Sequence, residues 1–220
     1  MLELIETFFN TLYNVPELVR VAGLIGLVVI VFADTGLMIG FFLPGDSLLM
    51  TAGIFAARGD FDIVSLNLAL ILAAVLGDAT GYWIGYRTGR ALFNRPNSLF
   101  FRREHLIKTH EFYERHGGKT IVIARFLPIL RTFAPIVAGI GTMTYRNFAM
   151  YNITGGIAWV VSMTLAGYFL AQTVPDIDRH LHRLIAAVIF LSLLPGIIAW
   201  LKGRWDARRA ARAAGVEELS

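Results

Sequence analysis

Five ionisable side chains stand in otherwise apolar stretches of this sequence: Asp34, Asp46, Asp78, Arg125 and Arg131. A charge at the centre of a bilayer costs about 2.5–3.5 kcal/mol on insertion scales. Five uncompensated charges would cost on the order of 10 kcal/mol, comparable with the net stability of a whole domain. They must pair, take up protons or line a wet cavity. Arg125 and Arg131 flank Pro128. An unbroken helix would send them to opposite faces, whereas a helix broken at the proline lets both guanidinium groups converge on one point. Each offers a planar fork of donors suited to phosphate, charged at any accessible pH. The start of a half-helix would add backbone N–H donors for the same anion. Arg125 and Arg131 are therefore the candidate phosphate-binding residues, and Asp34 and Asp46 the candidates for proton coupling. Asp46 follows Pro44-Gly45, a turn that would present it to a cavity; it equally suits the cap of a helix running from Leu48 onward. Asp78 suits a structural hydrogen bond to a hairpin backbone as well as a role in transport. The bland reading of all five is that they tie hairpins together. Buried pairs, however, contribute little net stability over apolar replacements.

The elements that must position these residues follow from composition. The apolar residues make up 56% of the 220 and the charged ones only 16%, with a mean hydropathy of +0.61. A soluble domain carries about 25% charge, so a soluble single domain is excluded. Positions 147–175 and 184–201 hold no charged residue, and each can cross roughly 30 Å of hydrocarbon as a helix. The chain reads as a polytopic, all-α membrane protein forming one membrane domain over 1–220. The absence of cysteine excludes disulfide and thiolate chemistry. His105, His110 and His116 lack metal-site spacing, and no nucleophile–base arrangement, phosphate-cradling glycine loop or HExxH is present. Neither an enzyme, a metal nor a cofactor is expected.

Lys and Arg gather between Arg87 and Lys119 and again from Lys202 to Arg212. The positive-inside rule puts both clusters in the cytoplasm; the flanking apolar spans make a membrane surface, not nucleic acid, the source of the net charge of +4. With 147–172 leaving the cytoplasm and 184–201 returning, 120–141 must enter and leave on one side. Its Arg125, Pro128, Arg131, Pro135 and Gly139 suit a re-entrant hairpin better than a lipid-facing helix. In the first half, 63–86 crosses inward, and the stretch before it turns at Pro44-Gly45-Asp46 with arms too short to span. A second re-entrant hairpin, within 21–57, is expected there, with 21–33 delivering the chain from the cytoplasmic side. The two halves form an inverted repeat of hairpin and span, a transporter pattern. An interfacial helix over 1–15, retained because it lacks the basic start of a signal, a basic surface helix over 90–118 and a basic tail over 202–220 complete the plan. Gly77, Gly81, Gly85 and Gly89 form a small-residue stripe for close helix approach, which also makes a homodimer conceivable. Tyr82, Trp83, Trp159, Trp200 and Trp205 read as interface anchors.

Three blocks carry a resemblance: ADTGLMIGFFLPGDSLL, GDATGYWIGYRTG and HEFYERHGGKTIVIARFLPILRTFAPIVAGI. In order and spacing they resemble the DedA (SNARE-associated, VTT-domain) family of bacterial inner-membrane proteins, over roughly 33–168. The resemblance implies paired re-entrant hairpins. It implies translocation of undecaprenyl phosphate across the cytoplasmic membrane for cell-wall carrier recycling. It also implies functional roles at Asp34, Asp46, Arg125 and Arg131. Position 34 is Asp where many relatives carry Glu, and Tyr86 separates Gly85 from Arg87. The expected function is thus a polyprenyl-phosphate flippase, with membrane phospholipids around it. Two alternatives stay open: a proton-coupled carrier of another phospholipid or small solute, and a non-transporting membrane-assembly scaffold.

Overall fold

Residues 15–37, 45–93, 119–141 and 143–173 are described in a computed structural model of the chain. They fold into α1 (Val15–Gly36), α2 (Gly45–Ala57), α3 (Ile63–Phe93), α4 (Lys119–Ala124), α5 (Pro128–Ile140) and α6 (Tyr145–Thr173). The expected helices at 1–15 and 184–201, nearly all of 90–118, the tail, Pro44 and the three loop histidines fall outside the described residues. Three stretches are long and apolar enough to cross a membrane: Pro16–Gly36, Ile63–Gly89 and Tyr145–Thr173. Two further apolar helices, α2 and α5, are 13 residues each, about 20 Å at 1.5 Å per residue and too short to span.

The local sequence accounts for each boundary. Gly23 takes a left-handed φ of 58° that divides α1, a conformation glycine adopts without strain. The carboxylate of Asp62 accepts the Ser65 N–H at 2.8 Å and caps α3; this bond holds the exposed Asp62 carboxyl below its ordinary pKa. Pro128 stands in the first turn of α5, where its missing N–H is harmless. Between α4 and α5 the N–H groups of Phe126 and Leu127 fold back on Ile123 and Ala124 at 3.1 Å, so the broken helix expected around Pro128 is present.

Outward faces are apolar. Val21, Ile25 and Val29 on α1, and Val64, Leu68, Leu72 and Leu76 on α3, are exposed at every fourth position. The buried set, by contrast, includes three aspartates and two arginines. That inversion suits a hydrocarbon solvent.

Each short helix packs chiefly on the long helix of the other half, α2 on α6 and α5 on α3. Glycines make both approaches possible. A Cβ at Gly53 would strike the Thr164 backbone, and one at Gly167 the Met50 backbone. Equivalent collisions would follow at Gly85 with Ile136 and at Gly139 with the Tyr82 carbonyl. Of the predicted stripe, Gly77 meets Phe32, Thr35 and Gly36 of α1, Gly81 meets both Gly36 and α5, and Gly85 and Gly89 meet α5. The stripe is therefore filled from within the chain. Thr35 and Gly36, at the end of α1, lie against Ala74, Gly77 and Gly81 near the middle of α3. The remainder of α1 joins the core cluster of Leu66 and Leu70, towards the start of α3. Gly36 against Gly77, with Val19 in the cluster of Leu66 and Leu70, supports a parallel run of the two helices.

Candidate functional site

All five predicted charges are buried, each no more than 6% exposed, and they occupy two adjoining groups. Arg131, in the first turn of α5, lies between two carboxylates. Its Nη1 donates to Asp46 Oδ1 at 2.7 Å. Its Nη2 donates to Asp34 Oδ1 at 3.2 Å and stands 3.1 Å from Oδ2. Arg125, in the break between α4 and α5, donates through Nη2 to Asp78 and to Asn152 Oδ1. Asn152 in turn donates to the Val75 carbonyl at 3.0 Å. Desolvating an ion is costly, and each arginine recovers that cost with charge-assisted bonds.

The arrangement departs from the expectation of two arginines converging on one shared anion. Each guanidinium has its own carboxylate partner, and the carboxylates stand on the arginines instead of apart from them. The aspartates outnumber the arginines by three to two, so the cluster is formally −1 when fully ionised. Five of its buried polar atoms have no hydrogen-bond partner: Asp34 Oδ2, Asp78 Oδ1, Arg125 Nε and Nη1, and Arg131 Nε. Asp46 opens α2, with its side chain turned to Arg131 and Trp159. Asp78 engages Arg125 instead of a hairpin backbone. Gly45 stands beside Asp34, where a Cβ would clash with the carboxylate. Pro135 and Gly139 belong to the α5–α3 contact, not to the charges.

Two residues of this site escaped the sequence reading. Trp159, expected at the membrane interface, is wholly buried. Its Nε1 donates to Asp46 Oδ1 at 2.9 Å, and its ring lies 4.7 Å from the Arg131 guanidinium. Asn152 is the other. Both belong to one stripe of α6, with Gly155 and Gly156 between them, against which the Arg125 side chain packs. Tyr82 is buried too, donating to the Met143 carbonyl, whereas Trp83 is exposed as expected. Tyr82, Trp83, Tyr86, Met143 and Tyr145 line an open cleft of about 600 Å³ that shares no residue with the charge cluster. No metal-ligating group of three or more His, Cys, Asp or Glu occurs among the described residues.

The VTT domain model matches residues 43–169. Protein DedA of Escherichia coli K12 is 49% identical over 84% of this chain and 85% of its own length. An uncharacterized membrane protein of Mycobacterium leprae is 44% identical, over 84% and 82% respectively. The inner membrane protein YqjA of Escherichia coli K12 is 32% identical, over 84% and 83%. No solved structure matches.

Proposed function

The chain belongs to the VTT-domain (DedA) family of membrane proteins, and from that premise we propose that it is a proton-coupled translocase of a phosphate-bearing polyprenyl lipid, not an enzyme. The observation that carries the reading is the Asp34–Arg131–Asp46 group, an arginine fork held between two carboxylates within an apolar-faced helical bundle. In this arrangement the carboxylates occupy the positions a phosphate would take. Protonating one of them frees that side of the fork. Charge accounting favours the coupling: a phosphate monoanion added to a formal −1 gives −2, and two protons return the cluster to neutrality. An uncompensated charge in a low dielectric is the costly alternative. The unpartnered Nε of Arg131 and the Nε and Nη1 of Arg125 are further donors for the incoming anion.

The helix contacts support two re-entrant hairpins of opposite sense, α1–α2 and α4–α5, with Asp34, Asp46, Arg125 and Arg131 at or next to their facing helix ends and Asp78 on α3. The exchanged packing, α2 on α6 and α5 on α3, is what an inverted repeat around a central site would give. One element departs from the charge-based plan. Because the contacts of α1 lie along the first half of α3, we take it to approach the centre from the side on which α3 starts and not from the basic side. The basic end, with Arg87, Lys119 and Arg146, is assigned to the cytoplasm.

Reconstituted protein in liposomes, with a synthetic polyprenyl phosphate and an imposed pH gradient, tests the reading. Arg131→Lys cannot bridge two acceptors with a planar fork, so headgroup movement is expected to fall below a tenth of wild type, a loss of about 1.4 kcal/mol or more. Full activity of both Arg125→Lys and Arg131→Lys would falsify a forked phosphate site. A second reading is favoured by the ion pairs themselves: a proton-coupled carrier of a small solute, with the carboxylates as its site. Soluble phosphomonoesters inhibit the first and spare the second.

A further inference from the structure

Asp34 and Asp46 flank the same guanidinium but are held unequally. Asp46 Oδ1 receives two donors, Arg131 Nη1 at 2.7 Å and Trp159 Nε1 at 2.9 Å. The Trp159 ring also lies 4.7 Å from the Arg131 guanidinium, so the three residues close a triangle in which every pair interacts. Cation–aromatic contacts of this kind strengthen when desolvated, and Trp159 is fully buried. Moving the Asp46 carboxylate off Arg131 therefore also disturbs its bond from Trp159, so both hydrogen bonds to that oxygen resist its displacement. Asp34 meets one nitrogen alone, Arg131 Nη2, through a hydrogen bond of 3.2 Å to Oδ1 and an ion contact of 3.1 Å to Oδ2, and its Oδ2 has no hydrogen-bond partner. Its neighbour is Gly45, where a Cβ would strike Asp34 and come within 2.9 Å of Arg131 Nη2. The backbone beside the looser carboxylate is thus bare.

We infer that Trp159 is a positioning residue that pins Asp46 to Arg131 as a fixed counter-ion, leaving Asp34 as the arm that opens to admit the substrate phosphate. The second half of this inference rests on the translocase reading. The first half does not. Arg131, Asp46 and Trp159 join α5, α2 and α6 into one unit, and Asp34 of α1 is the detachable contact. An incoming anion exchanges with Asp34 at Nη2 and leaves the Asp46 side of the fork intact.

Two measurements on the full-length chain decide this. Thermal unfolding in detergent, without lipid substrate, is compared for Trp159→Phe, which keeps a ring but loses the donor, for Asp46→Asn and Asp34→Asn, and for the paired variants. Trp159→Phe with Asp46→Asn is expected to lower the midpoint by clearly less than the sum of the singles, whereas Trp159→Phe with Asp34→Asn is additive. Additivity in the first pair overturns the pin, whether or not the chain moves polyprenyl phosphate. In liposomes, with synthetic polyprenyl phosphate as the probe, Asp34→Asn removes the competitor, so the apparent KM falls several-fold as the maximal rate declines. Asp46→Asn and Trp159→Phe loosen the fork, and KM rises. A plain effect of removing negative charge would lower KM in both aspartate variants, and that outcome overturns the assignment of Asp34 as the opening arm. Wild-type chain inert towards the lipid would sink the translocase reading, with the pin still judged by the unfolding cycle.

Discussion

Arg125 and Arg131 meet the same problem, a fixed positive charge in an apolar interior, with different partners. Arg131 divides its fork between two carboxylates, whereas Arg125 directs one nitrogen at both Asp78 and Asn152. Arg125 therefore depends on one carboxylate. Removing one partner of a buried ion pair costs about 3–5 kcal/mol, because the other charge stays behind. Asp78→Asn is expected to destabilise the protein by about that amount. Asn152→Ala is expected to cost about 1–3 kcal/mol, since it leaves one buried guanidinium donor without its acceptor. Chemical unfolding in detergent measures both, and an inverted order would show Asn152 to be the main partner of Arg125. The five charges were legible in the sequence because a charge in an apolar run stands out at its own position. Their partners were not. Asn152 and Trp159 are neutral, and Trp159 lies 113 positions from the Asp46 it binds, so only the assembled bundle joins them. Trp159 also has the composition of an interface anchor, and three-dimensional contact alone overrides that expectation.

At the scale of the element, the determinants are glycines where two helices approach too closely for a Cβ. Periodicity displayed the stripe of Gly77, Gly81, Gly85 and Gly89 but could not say what fills it, because a small-residue groove takes a helix of the same chain or another equally well. The structure fills it with α1 and α5. Not every glycine matters equally. At Gly85 a Cβ collides with the Ile136 backbone, which cannot swing aside, while at Gly81 the nearest atom is the Pro135 Cβ at an ordinary 3.4 Å. Overpacking costs about 1–3 kcal/mol, whereas alanine gains ~1 kcal/mol over glycine in a helix interior. Gly85→Ala and Gly139→Ala are expected to lower the unfolding midpoint, and Gly81→Ala to leave it unchanged or raise it. Equal losses at all three would mean that the α3–α5 approach is not set by backbone contact. The breaks were the more readable part of the architecture: Pro128 breaks the chain physically as well as in the letters. The long spans were readable too, because apolar length is a local property, although α3 continues to Phe93 where charge alone suggested an end near Tyr86.

The whole molecule turns on the direction of α1. A long apolar stretch of 21 residues reads as a complete crossing, yet Gly23 divides it and its last turn stops beside the middle of α3. Two neighbouring helices that run in the same direction begin on the same face. If α3 starts outside and α1 runs parallel to it, α1 starts outside too, and on the proposed hairpin the part after Gly23 descends only to the charge cluster. Length decides between the two geometries less well than contacts do, because a helix bent at a glycine can spend its first turns along the interface. The chain contains no cysteine, so an introduced thiol is the sole target of a membrane-impermeant maleimide. Glu17, Asp60, Lys119 and Tyr145 are all exposed and lie near helix ends. Asp60→Cys, in the turn between α2 and α3, and Glu17→Cys, at the start of α1, are expected to react from outside intact cells. Lys119→Cys and Tyr145→Cys should react only after the membrane is opened. Glu17→Cys reacting together with Lys119→Cys would mean that α1 crosses completely. The outer hairpin would then lose one arm, and Asp34 would reach Arg131 from the cytoplasmic side.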